Sequence, residues 1–196
     1  MMKEIGQTMT RGKQRVLNDF SKTLGAAIAQ QSFELITVNS LCKAANYPRS
    51  TFYNYFDDKY DLLRYCFSLV IAEVKLDELV VGHDDQFLVQ AFDRLYTLTD
   101  AHSDYVKRVL HHNQTGDLQV NFTTYARQKA QKELTGKLNV GTTIPTELVI
   151  SHCVSTLLMV LEWTFVKQHK TDQATARAIL LKLYGSGELR QALDKL

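Results

Sequence analysis

The sequence has few of the residues that interrupt regular structure, with two prolines and nine glycines among 196 residues. Stretches with apolar residues at helical spacing lie between them, which predicts an all-α protein. The three cysteines, Cys42, Cys66 and Cys153, are odd in number and have no CxxC spacing, which argues against a disulfide framework or a zinc site. We expect each of them to be a small buried apolar residue.

The sequence also lacks an uninterrupted run of the roughly 18 apolar residues that a membrane-spanning helix needs. Its first residues, MMKEIGQTMTRGK, lack the apolar core of a signal peptide. We therefore expect a cytoplasmic protein without a membrane partner. No Ser/His/Asp grouping, phosphate-binding glycine loop or carboxylate pair has a recognisable spacing, so the sequence does not predict an enzyme, a cofactor or a metal site.

A strong net charge is missing as well, because the whole chain carries only +2. The distribution is uneven: residues 1–55 hold seven Lys or Arg against three Asp or Glu, a net charge of +4, which leaves about −2 for the remainder. A basic N-terminal part on an acidic body suits a segment that meets phosphate. A solvated charged surface would give the same counts, so charge alone leaves both interpretations open.

The stretch from Thr37 to Phe56 has the pattern of two short helices joined by a tight turn. Thr37 is a good N-cap for the first helix, and Asn46 tolerates the left-handed backbone that ends it. Pro48 suits the first turn of the second helix. A short helix with one apolar side and one side of hydrogen-bond donors is what a helix-turn-helix needs to read a DNA groove. The apolar side carries Phe52, Tyr55 and Phe56, and the polar side carries Arg49, Ser50, Tyr53 and Asn54.

This stretch resembles the DNA-binding motif of the TetR/AcrR family of bacterial transcription regulators. The parts that agree are T-V-x-x-L-x-x-A-A from Thr37 to Ala45, S-T-F-Y-N-Y-F from Ser50 to Phe56, Lys59, and the pair Leu62-Leu63. The likeness covers roughly residues 10–65. Two positions depart from the family pattern, since Asn46 stands where Gly is usual and Pro48 stands where a Ser cap is usual.

The resemblance implies which residues of the motif meet DNA. Arg49, Ser50 and Thr51 are expected to approach base edges. The residues expected on phosphates are Thr37, Tyr53, Asn54 and Lys59. An arginine can bond guanine bidentately, whereas hydroxyls and lysines suit phosphate, which positions a protein without specifying sequence.

The periodicity predicts a two-domain helical chain, with a three-helix helix-turn-helix domain over residues 1–57 and an effector-binding and dimerisation domain over residues 58–196. A long helix from Asp57 to about Val81 is predicted to enter the second domain without a Gly or Pro linker, which would couple the two domains rigidly. The other predicted helices span about 10–30, 84–100, a segment that begins near Ser103, 117–134, 146–170 and 172–184.

The predicted helix from Thr146 to about Lys170 is apolar on most of its circumference and must be covered on most sides. Two C-terminal helices that pair with their symmetry mates would form a four-helix dimer interface, an arrangement that the resemblance also implies. Aromatic residues of this domain are expected mainly in its core, with some lining an effector cavity. The candidates for effector binding are Phe92, Tyr96, Tyr105, Phe122, Tyr125 and Trp163.

The sequence thus predicts a homodimeric transcription regulator, most simply a repressor that binds a pseudo-palindromic operator in double-stranded DNA and is released by a small-molecule effector. The alternative is a TetR-like interaction protein or co-regulator that does not bind DNA and docks onto another regulator. Neither the effector nor the operator sequence can be read from these residues.

Overall fold

The structure is a computed structural model that describes residues 10–79, 86–114, 116–137, 144–165 and 171–185. These ranges contain helices and no strand, so the all-α prediction is confirmed. The α-helices are α1 (Arg11–Ile28), α2 (Val38–Ala45), α3 (Arg49–Tyr53), α4 (Lys59–Ala72), α5 (Gln86–Ala101), α6 (Ser103–His112), α7 (Asp117–Leu134), α8 (Thr146–Phe165) and α9 (Gln173–Gly185). Two short 3-10 helices span Phe33–Leu35 and Leu76–Glu78.

Residue contacts divide the chain into two compact units. The first unit consists of the residues up to Val70 together with Arg108–Phe122, and the second consists of Ile71–Lys107 and the residues from Thr123 onward. Helices α4, α6 and α7 each begin in one unit and end in the other. The predicted domain boundary between residues 57 and 58 stays a prediction.

The core of the first unit is built on α1, whose buried residues recur at steps of three and four and form one apolar stripe. The helix begins where the Thr10 side chain accepts a hydrogen bond from the backbone N–H of Lys13 at 3.4 Å. Four apolar residues of this small core are all buried: Leu17, Phe33, Ile36 and Leu41.

Helix α4 ends earlier than the sequence predicts, at Ala72 rather than near Val81. Lys75 then adopts a left-handed backbone with φ of 50°. A guanidinium nitrogen of Arg94 donates to the backbone oxygens of Val74 and Lys75 at 2.8 and 2.9 Å, which satisfies carbonyls that a continuing helix would have used. The prediction of one continuous helix is therefore wrong over residues 73–79, and residues 80–81 lie outside the described ranges.

The core of the second unit is formed by apolar residues of α5, α8 and α9 and of the C-terminal part of α7. Helix α8 is long and apolar enough to cross a membrane by length and composition, a test that core helices of soluble proteins also pass. The helix has twenty residues, of which eight are buried, so its apolar composition is explained in part by the core that it fills.

The remaining predicted helices agree with the structure to within about two residues wherever it describes them. Helix α7 has the predicted bounds, and α9 begins after Asp172, whose carboxylate accepts from the N–H of Thr175 at 2.8 Å. The described residues do not include residues 1–9, most of the segment before Pro145, the predicted helix end at 166–170, or the residues after Gly185.

Candidate nucleic-acid interface

Helix α2 is fixed at both ends by the residues that the sequence singles out. The Thr37 hydroxyl accepts from the Ser40 N–H at 3.1 Å, and the Ser40 hydroxyl oxygen accepts from the Thr37 N–H at 3.1 Å, so the two residues form a capping box. At the other end Asn46 has the predicted left-handed backbone, with φ of 57° and ψ of 44°. The turn that follows therefore leaves α2 in a defined direction.

Helix α3 has only five residues and begins one position later than predicted, because Pro48 is the N-cap rather than the first helical residue. Pro48 offers no side-chain cap, and its carbonyl accepts from the N–H of Thr51 at 3.0 Å. So short a helix is not stable by itself and depends on tertiary packing. The packing comes from Phe52 and Phe56, which are 0% and 1% exposed as the sequence predicts.

An aromatic cluster lies under α3. The ring of Phe52 packs edge-to-face against that of Phe20 on α1, with 5.3 Å between the ring centroids. The centroid of the Phe56 ring lies 6.2 Å from that of Phe20. Tyr47 lies in the turn before α3 and packs on Phe20, with 5.4 Å between the ring centroids. Its hydroxyl donates to the Asp19 carboxylate at 2.8 Å. That hydrogen bond, followed by burial, raises the pKa of Tyr47. Both the turn and α3 are therefore anchored to α1.

The outer side of α3 carries the polar residues that the sequence predicts there. Arg49, Ser50, Tyr53 and Asn54 are exposed in the chain, whereas Thr51 lies between the two sides and is half-buried. The guanidinium of Arg49 donates to the Tyr53 hydroxyl at 3.2 Å. The structure thus brings a cation, hydroxyls and an amide together on one short helix, with Thr37 exposed at the start of α2.

Lys59 has a different environment from the other predicted site residues. Its ammonium donates to the backbone oxygens of Phe33, Glu34 and Ile36 at 3.0, 3.0 and 2.9 Å. It also lies 4.6 Å from the centroid of the Phe33 ring. A lysine ammonium has three protons, so in this arrangement none remains for a phosphate.

A shallow recess beside α3 brings in polar residues that the sequence analysis did not select. It is lined by Asn39, Cys42, Lys43, Asn46, Tyr47, Pro48 and Arg49. Asn39 and Lys43 are exposed and lie one helical turn apart on α2. Their positions at i and i+4 on the helix that leads into the turn were a usable signal in the sequence.

Comparison with known proteins agrees with this geometry. Residues 26–66 match the model of the bacterial regulatory proteins of the tetR family, a segment that runs from the end of α1 into α4. A TetR-family regulator from Streptomyces coelicolor has a TM-score of 0.66 and 13% sequence identity, over 91% of this chain and 98% of that chain. A TetR-family transcription regulator from Marinobacter aquaeolei has a TM-score of 0.59 and 16% identity, over 90% and 97%.

The protein has the fold of a TetR-family transcription regulator. A further structure with this fold is the transcriptional regulator FadR from Bacillus subtilis in complex with stearoyl-CoA, with a TM-score of 0.56 and 14% identity over 87% of this chain and 98% of that chain. No curated protein sequence matches this one. The predicted resemblance to the TetR family is confirmed, and with it the predicted fold class.

Within this TetR-family fold the second unit contains a cavity of about 60 Å³. Its walls are hydrocarbon apart from the thiol of Cys153, and its lining includes Leu88, Ala130, Ile150 and Leu157. The volume is well below the roughly 300 Å³ at which ligand sites begin. In this conformation the cavity therefore holds no drug-sized molecule.

The aromatic residues that the sequence predicts for effector binding do not line this cavity. Phe92 and Tyr96 are buried, and the Tyr96 hydroxyl donates to the backbone oxygen of Thr171 at 2.8 Å. Phe122 packs on Phe67 in the first unit, at 5.1 Å between ring centroids. Tyr105 is exposed, and Tyr125 and Trp163 are half-buried. Among the described residues of the cavity wall, Phe87 is the one aromatic side chain, and aliphatic residues form most of the rest.

Arg127 is a polar group of the second unit that the sequence analysis missed. One of its terminal nitrogens donates to the Ser155 hydroxyl at 2.8 Å. Its Nε–H is buried without a hydrogen-bond partner among the described residues. Since a buried unpaired donor costs about 1–3 kcal/mol, this N–H is suited to donate to a partner that carries an oxygen. Arg127 follows the cavity-lining residue Ala126 on α7.

Proposed function

We propose that this protein binds double-stranded DNA through α3 and regulates transcription, most simply as a repressor. The observation that supports the proposal is the exposed side of α3, where Arg49 and its polar neighbours stand on a helix that Phe52 anchors from below. A recognition helix in the major groove needs this division between an anchored side and a side of donors.

The proposed contacts follow the chemistry of the exposed side chains. Arg49, Ser50 and Thr51 are assigned to base edges, because they occupy the N-terminal part of α3. Thr37, Tyr53 and Asn54 are assigned to phosphates. Lys43 joins this second group, since its ammonium is exposed beside the recess. Lys59 is left out because its three protons are donated to carbonyl oxygens.

We also propose a homodimer formed through α8 and α9. On α8 the exposed residues Leu148, His152 and Met159 recur at steps of four and seven, so they lie on one side of the helix. Leu148 and Met159 are 59% and 51% exposed in the single chain, which is costly for large apolar side chains unless a second copy covers them. A two-fold dimer presents α3 twice and matches a pseudo-palindromic operator.

Effector release is proposed through the cavity of the second unit. FadR from Bacillus subtilis has been solved with stearoyl-CoA, an apolar chain with a charged head. The hydrocarbon walls of this cavity favour an effector with an apolar body. The cavity must enlarge to admit such a molecule, and this rearrangement is the proposed cause of release. The same proposal makes the protein a non-enzymatic regulator that acts in the cytoplasm.

The experiment that tests DNA binding is selection of duplexes from a random-sequence library by the purified full chain, followed by titration of the selected duplex. Arg49→Ala should weaken binding by about 1–3 kcal/mol and relax the preference at one position of each half-site. Arg108→Ala is the matched control, because Arg108 is an exposed arginine on α6 outside the helix-turn-helix. Equal losses for the two variants would contradict the assignment of Arg49 to a base.

A further inference from the structure

Asn113 directly follows α6 and is 2% exposed. Its side chain hydrogen-bonds to residues that are 80 or more positions away in the sequence. Its Oδ1 accepts from the backbone N–H of Phe33 at 2.8 Å. Its Nδ2 donates to the backbone oxygens of Ile28 and Val109 at 3.0 and 2.7 Å. One side-chain amide therefore closes α6, caps the last turn of α1 and satisfies the first N–H of the 3-10 helix that follows.

Glu34 makes the reciprocal contact, from the α1–α2 connection to the start of α7. Its carboxylate accepts from the backbone N–H of Asp117 at 2.7 Å, and the Ser32 hydroxyl donates to the same carboxylate. A Cβ on Gly116 would collide with this carboxylate, so the glycine leaves the space that Glu34 occupies. A carboxylate at a helix N-terminus is favourable for both the helix dipole and its unpaired N–H groups.

These contacts converge on the connection between α1 and α2, which leads directly into the helix-turn-helix. Lys59 holds three of its carbonyl oxygens, and Asn113 holds the N–H of Phe33. Since Thr37 begins α2 at the end of this connection, the path of the connection determines where α2 and then α3 start. Helices α6 and α7, which supply the other half of the contacts, continue into the second unit.

We propose that Asn113 and Glu34 form a positioning clamp, the Asn113–Glu34 clamp, that holds α2 and α3 in the conformation that binds DNA. The inference rests on the proposed function for its DNA readout and has a second readout that does not. When the clamp is closed, the α6–α7 connection fixes the path of the α1–α2 connection. Loss of the contact between Asn113 and Phe33, or of that between Glu34 and Asp117, frees this path and lowers the affinity for DNA.

The test compares Asn113→Ala, Gly116→Ala and the matched control Asn121→Ala in the full chain. Gly116→Ala displaces the Glu34 carboxylate without changing Glu34 or Asn113. In Asn121→Ala an amide that bonds only the oxygen of Asp117 within α7 is lost. Amide hydrogen exchange is measured on peptides of α2, α3 and the core of α1, and affinity is measured on the duplex that the wild type selects. All measurements are made at a temperature where circular dichroism shows each variant folded.

We expect both clamp variants to exchange faster in α2 and α3 while the core of α1 exchanges as in the wild type. We also expect a loss of affinity of about tenfold for Asn113→Ala, the scale of one buried hydrogen bond. The loss should be smaller for Gly116→Ala, because the Glu34 contact is exposed. The slope of log affinity against log salt should stay unchanged, because the phosphate contacts are retained. Asn121→Ala should match the wild type in every measurement.

Two results would overturn the clamp: unchanged exchange in α2 and α3 in both variants, or faster exchange there with wild-type affinity. If Asn113→Ala does not fold, the exchange and affinity of Gly116→Ala alone test the clamp. A wild-type protein that selects no duplex would refute the proposed function, and the exchange of α2 and α3 would still show whether the clamp orders them.

Discussion

The guanidinium of Arg49 lies against Tyr53 one helical turn away, with a hydrogen bond of 3.2 Å to the hydroxyl and 5.8 Å between the guanidinium carbon and the ring centroid. The two exposed side chains therefore hold each other in place before any partner arrives. An arginine that is already oriented loses less conformational entropy on binding, which favours affinity.

Removal of the Tyr53 hydroxyl tests this pairing. Tyr53→Phe keeps the ring and removes both the acceptor for Arg49 and the hydroxyl assigned to a phosphate, so we expect operator affinity to fall by about 0.5–1.5 kcal/mol. Fluorescence anisotropy with a labelled duplex measures the change. Tyr55→Phe, on the half-buried side of the same segment, is the control and should bind as the wild type does. Equal losses in the two variants would show that the Arg49–Tyr53 pair has no specific role.

Lys59 and Lys43 give a matched pair that separates support of the fold from contact with DNA. Lys59→Met leaves three backbone oxygens without their donor. We expect it to lower the free energy of unfolding by about 1–3 kcal/mol, measured by urea denaturation, and to leave the salt slope of DNA binding unchanged. Lys43→Met should keep the free energy of unfolding within about 0.5 kcal/mol of the wild-type value. It should reduce the slope of log affinity against log salt by about one. A reduced salt slope with unchanged stability in Lys59→Met would show that Lys59 contacts DNA.

Cys66 should be unreactive in the folded protein. It is half-buried, unlike Cys42 and Cys153, which are buried as expected. Desolvation raises the pKa of its thiol to about 12, so at pH 8 very little of it is thiolate, the form that reacts. With the aromatic disulfide reagent DTNB we expect slow labelling of the native chain and rapid labelling of all three cysteines in urea. Rapid labelling of Cys66 in the folded protein, identified by peptide mapping, would show that its thiol is not shielded.

Glu34 should give the protein a stability term that depends on pH. The hydrogen bond from Ser32 and those from backbone amides, including that of Asp117, hold the pKa of the Glu34 carboxyl below its ordinary value of 4.5. A lowered carboxyl pKa contributes stability that is present above the unfolded value and is lost as pH falls through the folded value. We therefore expect Glu34→Gln to lower the melting temperature at pH 7, with a difference that shrinks as the pH falls below 4.5 and through the lowered pKa of the folded carboxyl.

Glu147→Gln is the control for this measurement, because Glu147 is an exposed carboxylate in the first turn of α8. Its effect on the melting temperature should not follow the pH dependence of Glu34→Gln. If Glu34→Gln lowered stability equally at pH 7 and pH 3.5, the charge of Glu34 would have no part in holding α7.

Local signals explain what the sequence could predict. Thr37 caps α2, Asn46 ends it in the left-handed region, and Phe52 and Phe56 are buried, because each of these outcomes depends on neighbours within about four residues. The same reasoning placed Pro48 inside α3, and the structure has it at the N-cap. A proline satisfies either position, so the sequence did not distinguish them.

The features that the sequence could not predict depend on distant partners. Helix α4 ends at Ala72, and the carbonyls of Val74 and Lys75 that follow are satisfied by Arg94, some twenty residues later. In the sequence Asn113 has no visible role, because its partners Ile28 and Phe33 are 80 or more residues away in the chain. The cavity was expected among aromatics and is lined mainly by aliphatic residues, since composition does not tell which faces leave space between helices.

Titration of the selected duplex at a series of salt concentrations tests the central claim most directly, that α3 binds DNA. The expected result is a steep linear fall of log affinity with log salt, as phosphate contacts release counterions. The duplex should carry two half-sites with centres about one helical turn, or a multiple of it, apart. Negligible affinity at low salt for every duplex, from a protein that is folded and dimeric, would contradict the account and favour a TetR-like protein that docks onto another regulator.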